Sequence, residues 1–418
     1  MLEYLVHTQI ICRHSLAVRM WSDRRKQAGK LVAVDFAFSP EQDDLRAAVR
    51  RFADQVVAPR SREIDRTSSI PDDIAKGLGE LGLLGMNLGE ESGGPGASSV
   101  DMGVVVEELA RADFVVAHLP IHHGLGVHVV AQASEAVRER WLPSIQDGSE
   151  RFAFALTEPE AGSDAGAITC RATPTPSGYR LGGEKTSISF LGPARAAVVV
   201  AKTPNPRSRG ITAFYVPLDL PGVTTGLFED LGCRGLTRGW LNLADVEVPA
   251  ENRIGAEGDG FRLVMGIFDL TRTLIALAAV GAAEASLDAA IAYSRTRKTF
   301  GVPIGAHQGV SFELAEHATR LQAARWTCYR ALWLRDAGRP HTADAAMAKW
   351  WGVTTARDAI HAAMLVHGHA AYTRELQLEQ RLRDVMGMEW GDGTANAAKL
   401  VIARELIGRD VVDARPGA

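Results

Sequence analysis

Cysteine is scarce in this chain and badly spaced for any framework. Cys12, Cys170, Cys233 and Cys328 lie far apart, with no Cys-x-x-Cys pair. That argues against a zinc ribbon or a disulfide scaffold and for reduced thiols in a cytosol-like compartment. No uninterrupted apolar run is long enough to span a bilayer. Basic blocks interleaved with aromatics are missing too, and a formal net charge of −4 gives no electrostatic case for nucleic acid. There is no Gly-x-x-x-x-Gly-Lys-Ser/Thr loop and no His-Glu-x-x-His. Gly124-Leu-Gly-Val-His-Val fails the dinucleotide fingerprint because it follows no strand. The histidines cluster loosely (His122, His123, His128; His367, His369) without Cys or carboxylate at ligand spacing. They read as loop or partly buried histidines, with no metal site.

What is present is ordinary globular composition: 418 residues, 46% hydrophobic and 23% charged, more than one core can use. Residues 1–34 stand apart, with Arg13, Arg19, Arg24, Arg25, Lys26 and Lys30 against only Glu3 and Asp23. This leader reads either as a transit peptide, hence a mitochondrial-matrix destination, or as a disordered start on a cytoplasmic protein. Ser39-Pro40-Glu41-Gln42 is a capped helix start, followed by Leu45, Val49, Phe52 and Val56 at helical spacing. Further helices are expected from Pro71 to Gly82, over Val104–Leu109, and from Ser134 to near Gly148. Residues 35–150 therefore form an N-terminal helical domain.

The texture changes at Phe152. β-rich runs at Ala196–Ala201, Ile211–Val216 and Trp240–Leu243 are separated by Gly, Pro and Asn turns. They define a central β-barrel-like domain over 151–257. From 258 to 418 the helical pattern returns in long Ala-rich segments, about 261–295, 309–337, 341–367 and 395–410, which predict a C-terminal four-helix bundle. The fold class is mainly α with a β domain, and sites belong at the domain junctions.

Two stretches carry candidate chemistry. Phe152-Ala-Phe-Ala-Leu-Thr-Glu-Pro-Glu-Ala-Gly-Ser-Asp164 reads as a short buried strand running into a polar turn. It is either a plain strand-to-loop corner or a cradle for a flat, polar-edged cofactor. Asp392, in Trp390-Gly-Asp-Gly-Thr-Ala, precedes an apolar helix. It is either that helix's N-cap or a general base held on bare backbone where a substrate can come close.

Taken in order, these motifs resemble the flavin-dependent acyl-CoA dehydrogenases over nearly all of residues 36–410. Phe154–Asp164 resembles the family's flavin signature, which implies FAD contacts from Phe154, Leu156 and Thr157, and a cofactor or CoA contact from Ser163. Gly183-Glu-Lys-Thr-Ser-Ile-Ser189 is similar to the second signature and implies Ser189 beside flavin N5; Ser187 stands where the family usually has Trp. Thr237–Leu241 and Val248–Gly255 resemble the strands leaving the β domain. Phe268-Asp-Leu-Thr-Arg272 resembles the CoA-contacting helix, making Asp269 and Arg272 substrate candidates. Thr271 occupies the position where some relatives place the base, and it cannot serve. Arg297-Lys-Thr-Phe300-Gly301 with Gln308 resembles the segment that reaches a neighbouring subunit's FAD, with Arg297 on the pyrophosphate.

Arg383-Asp384 and Asp392-Gly-Thr-Ala-Asn396 match the spacing that ends in the catalytic carboxylate. The match implies Asp392 as base, Thr394 and Asn396 on FAD, and Gly391 and Gly393 beside the substrate. Asp is one methylene shorter than the family's Glu, and Gly391 replaces an aromatic. The glycine loop reads Leu365-Val-His-Gly-His-Ala-Ala371 and keeps only Gly368; His369 and Ala371 are expected to hinder its approach to the cofactor.

The resemblance implies α,β-desaturation of an acyl-CoA. Asp392 takes the α-proton, a β-hydride passes to flavin N5, and the Asp392 backbone N–H and a flavin ribityl hydroxyl hold the thioester oxygen. Excluding water there would bring the proton affinities of acid and base together. It implies a homotetramer (a dimer of dimers) that passes electrons to an electron-transfer flavoprotein. The opened positions 187 and 391 suit a branched or alicyclic acyl group. Two alternatives stay open: a nitroalkane-oxidase-like flavin oxidase, and one subunit of a heteromeric, heterotetrameric dehydrogenase with an incomplete site.

Overall fold

The computed structural model describes residues 37–204 and 210–414. The expectations for the leader at 1–34 and for Cys12 lie outside them. The first helix, α1 (Pro40–Phe52), starts as its sequence dictates. Ser39 and Gln42 exchange backbone-to-side-chain hydrogen bonds of 3.1 and 3.2 Å, closing a capping box. Then follow α2 (Ser61–Thr67), α3 (Asp72–Glu80), α4 (Ser99–Ala112), α5 (His118–Val130) and α6 (Glu135–Gln146). The sequence pattern did not reveal α5. It is buried on almost every side, so it has no polar stripe to set a period.

The strands are β1 (Ala153–Ala155), β2 (Arg171–Thr175), β3 (Gly178–Ile188), β4 (Ala196–Lys202), β5 (Ile211–Pro217), β6 (Val223–Leu227), β7 (Gly239–Pro249) and β8 (Arg253–Ile254). They form one sheet in the order β6-β7-β3-β2-β4-β5-β8, with β1 added parallel to β4. Neither β4 nor β5 alternates apolar with polar, because both faces of each are covered.

The C-terminal part is α7 (Gly260–Thr296), the hairpin β9 (Lys298–Thr299) and β10 (Val302–Pro303), α8 (Gln308–Asp336), α9 (Thr342–His367), α10 (Leu378–Gly387), α11 (Ala395–Ile407) and α12 (Arg409–Val412). Helix α9 packs on α7, α8 and α11. Small residues let α7 approach α4: a Cβ on Gly281 would sit 2.5 Å from the Glu107 carbonyl oxygen. The Glu107 side chain is buried between α4 and α8 and accepts from the Arg325 guanidinium at 2.9 Å and from the Tyr329 hydroxyl at 2.6 Å. Against the expectation drawn from uninterrupted runs, α7 is long and apolar enough by composition to cross a bilayer. Yet 72% of its most apolar window is buried inside the protein, as in a core helix.

One apolar cluster fixes where the site lies. Leu156, Ala161 and Ile168, from the loop after β1, pack with Val200, Ile211 and Val264, and Phe154, Phe261, Met265 and Phe268 flank them. The strand-to-loop corner thus rests on the first turns of α7, at the junction of sheet and helices.

Candidate active site

The run from Phe152 to Leu156 splits its side chains as a strand must. Ala153 and Ala155 enter the core of the sheet, while Phe152, Phe154 and Leu156 share the other face. Phe152 is buried against Gly126, where a Cβ would lie 2.7 Å from its ring, and it stacks at 6.4 Å on Phe154, which stays half-buried. The loop that follows is tied to β3. Lys185 Nζ, fully buried, donates to Glu158 Oε1 at 2.7 Å and to the Leu156 carbonyl at 2.8 Å. Glu158 also accepts from Thr169 N, Thr169 Oγ1 and Cys170 N at 2.6–2.9 Å. Burial raises the Glu158 carboxyl pKa, but these donors, Lys185 foremost, outweigh it and hold the group below its usual range. The Thr186 N–H donates to the Thr157 carbonyl at 2.9 Å, so both signature stretches form one wall.

Ser187 sits on a β-bulge between β3 and β7, exposed, with φ 56°. Half-buried Ser189 follows the bulge, next to buried Phe190. The Phe190 ring meets His122 edge-on with centroids 5.0 Å apart, and His122 neighbours His118 at 6.2 Å. His118 Nδ1 donates to the Phe114 carbonyl at 2.9 Å, which leaves its buried Nε2 as an acceptor without a partner among the described residues. Burial lowers the His118 pKa, opposed by that bond and by the charge of Asp392. His122 is pushed down to about 3, by burial first and then by its neighbouring histidines. Both imidazoles are therefore neutral near pH 7.

Asp392 is not a helix cap. Thr394 caps α11, its Oγ1 accepting from Ala397 N at 3.2 Å. Asp392 lies two residues earlier, exposed, with φ 52°, and Gly393 follows at φ 99°. Its carboxylate accepts no hydrogen bond among the described residues. A Cβ on Gly391 would meet Met388 and the Gly387 carbonyl at an ordinary 3.7 Å, so the glycine leaves real space unfilled. The turn is held from beneath by Lys349 of α9, which donates to the carbonyls of Met388, Gly391 and Gly393 at 2.7, 2.7 and 3.1 Å. Sequence reasoning missed Lys349. Its signal is periodicity: Ala345, Ala346, Ala348, Gly352 and Val353 put position 349 on the buried face of α9.

On α7, Asp269 pairs with Arg272 at 3.0 Å and accepts from Thr342 Oγ1 at 2.7 Å. Thr271 is buried and donates to the Phe268 carbonyl at 3.2 Å. Arg297, the C-cap of the same helix, lies twenty-five positions beyond Arg272 (297 − 272). At 1.5 Å per residue that is roughly 37 Å along the axis. Gln308 and Gly368 belong to that far end with Phe300, whose ring is 93% exposed, because His367 stacks on Tyr293 at 4.6 Å. The predicted site residues thus fall into two groups. Phe154, Leu156, Thr157, Ser163, Ser189, Asp269, Arg272, Gly391, Asp392, Gly393, Thr394 and Asn396 belong to one end of α7; Arg297, Phe300, Gln308 and Gly368 belong to the other.

The glycine loop departs from expectation in one respect. Ala371 is 1% exposed and points into its own fold, so its methyl does not obstruct an approaching molecule. His369 is exposed, and Gly368 keeps φ 63°, which suits glycine.

The donor set fits a flat cofactor with polar edges. The hydroxyls of Thr157, Ser163 and Ser189 and the Asn396 amide have no side-chain partner among the described residues. The Arg297 guanidinium, likewise unpartnered there, lies at the other end of α7 and is outside this set. Phe154 and Leu156 offer an apolar floor.

Comparison with known proteins shows the family. The chain matches the acyl-CoA dehydrogenase N-terminal domain over 39–149, the middle domain over 153–246 and the C-terminal domain over 258–407. It is 36% identical over 382 residues to a probable acyl-CoA dehydrogenase, YngJ, of Bacillus subtilis, covering 90% of this chain and all of that one. Among solved structures, butyryl-CoA dehydrogenase from Megasphaera elsdenii superposes with TM-score 0.84 at 32% identity, over 90% of this chain and 100% of that one. PigA with FAD and proline superposes with TM-score 0.86 at 26% identity, over 90% and 100%.

Proposed function

Because this chain belongs to the acyl-CoA dehydrogenase family and is an FAD-dependent oxidoreductase, we propose that it converts an acyl-CoA to the trans-2-enoyl-CoA with Asp392 as the base. The observation that carries this reading is the free carboxylate of Asp392, exposed between two glycines on a turn that nothing else needs for capping. Bound FAD supplies the acceptor for the β-hydrogen and its electron pair. Phe154, Leu156, Thr157 and Ser189 hold its ring system, Ser163 its edge or the CoA, and Thr394 and Asn396 further polar atoms. Asp392 removes the α-proton, and its backbone N–H donates to the thioester oxygen where charge develops. Asp269 and Arg272 face the CoA. Gly391 and Gly393 leave room beside the α-carbon, which suits a branched or alicyclic acyl chain.

The distance along α7 supports an assembly in which Arg297, Phe300, Gln308 and Gly368 complete a neighbouring subunit's cofactor site. Exposed Phe300, Phe312, Leu365 and Tyr372 suit the contact between subunits that this requires, within the homotetramer typical of the family. Electrons leave to an electron-transfer flavoprotein. On the same reading the domain limits fall at 150/151 and 257/258. The test is an anaerobic spectral screen of the purified yellow protein. Butyryl-CoA, isobutyryl-CoA and cyclohexanoyl-CoA are compared with nitroethane while peroxide is monitored in air. Bleaching by a CoA ester without peroxide supports the proposal; turnover of nitroethane with peroxide replaces it by an oxidase.

A further inference from the structure

The backbone of the turn that carries Asp392 converges on the side chain of Lys349. Lys349 is 2% exposed in the middle of α9. An ammonium has three N–H donors and no acceptor, and the carbonyls of Met388, Gly391 and Gly393 take all three. These carbonyls flank Asp392 on both sides and converge on one point, where without a cation their dipoles would repel. Asp392 itself is held in the left-handed region, a conformation that persists only when its surroundings over-determine it.

We propose that Lys349 is the positioning residue for the base: its three-point clamp fixes the turn so that the Asp392 carboxylate and backbone N–H face the substrate. The inference rests on the assignment of Asp392 above. Lys349 is buried with all three donors on the turn, so it acts through the turn.

A lysine that merely filled a hole would leave no mark on the pH dependence of the chemistry, whereas a clamp does. Burial, first of all, lowers the Lys349 pKa to about 8. Asp392 and Glu389 of the turn oppose the shift, and Arg272 on α7 adds to it. Glu389 is itself bound by Arg357 of α9. Above that pH the neutral amine keeps two N–H groups and gains a lone pair, so one of the three carbonyls loses its donor. The turn then loosens although FAD stays bound.

The experiment is anaerobic stopped-flow reduction of the FAD-loaded enzyme, between about pH 6 and about pH 10 to span the lysine range. The probe is whichever of butyryl-CoA, isobutyryl-CoA and cyclohexanoyl-CoA reduces the wild type fastest; the proteins are wild type, Lys349→Met and Asp392→Asn. The wild-type rate constant falls through about pH 8 with the flavin spectrum unchanged. Lys349→Met reduces flavin about 10- to 100-fold more slowly, the scale of an ångström-sized misplacement, and its profile has no alkaline fall. A wild-type rate and profile in Lys349→Met, with Asp392→Asn inactive, overturns the clamp and leaves the base in place. Normal reduction in Asp392→Asn overturns the base itself. If Lys349→Met does not fold, the wild-type profile decides: a rate flat up to about pH 10 refutes the clamp.

Discussion

The Lys185 ammonium lies 2.7 Å from Glu158, both side chains buried, and so joins the two stretches that form one wall of the site. Removing one partner leaves an uncompensated buried charge. Lys185→Met is expected to cost about 3–5 kcal/mol in denaturant unfolding. Lys185→Met with Glu158→Leu should recover much of that loss. Equal instability of single and double variants would mean that packing, not charge, holds the wall.

The same pair sets an acid limit. The folded-state pKa of Glu158 lies below the ordinary glutamate value, so its contribution is complete above about pH 4.3 and is lost as pH falls through the lowered value. Glu158→Gln should remove that part of the acid dependence of unfolding. An unchanged acid limb in the variant would contradict the assignment.

Ser187 tests the bulge. At φ 56° a β-branched side chain is strained, so Ser187→Val should lose about 1–2 kcal/mol while Ser187→Gly loses little. Thermal unfolding in the presence of FAD measures both. Val and Gly variants of equal stability would show that the bulge relaxes freely.

The two ends of α7 predict complementation between subunits. Arg297→Ala should bind FAD weakly, and Asp392→Asn should bind it well but not react. Co-expressed, the two variants should regain activity in mixed oligomers, where one site receives both native residues. No recovery in isolated mixed oligomers would mean that Arg297 does not serve a neighbour's site.

Much of this was legible in the sequence, because the motifs carry their own local physics. The capping box at Ser39, the long Ala-rich helices and the strand-to-loop corner at 152–164 follow from spacing and turn chemistry. Residues buried on every side were less legible: α5 offers no polar stripe, and Lys349 is a lone charge in an apolar helix whose partners are backbone carbonyls about forty positions away. Asp392 shows the limit of local reading. Its place before a helix favoured a cap, and only the geometry of Thr394 removed that role.

The most direct test of the central claim is the anaerobic spectrum of Asp392→Asn mixed with an acyl-CoA that bleaches the wild type. The account predicts that the variant stays folded, binds FAD and remains yellow. A variant that bleaches at the wild-type rate would contradict it.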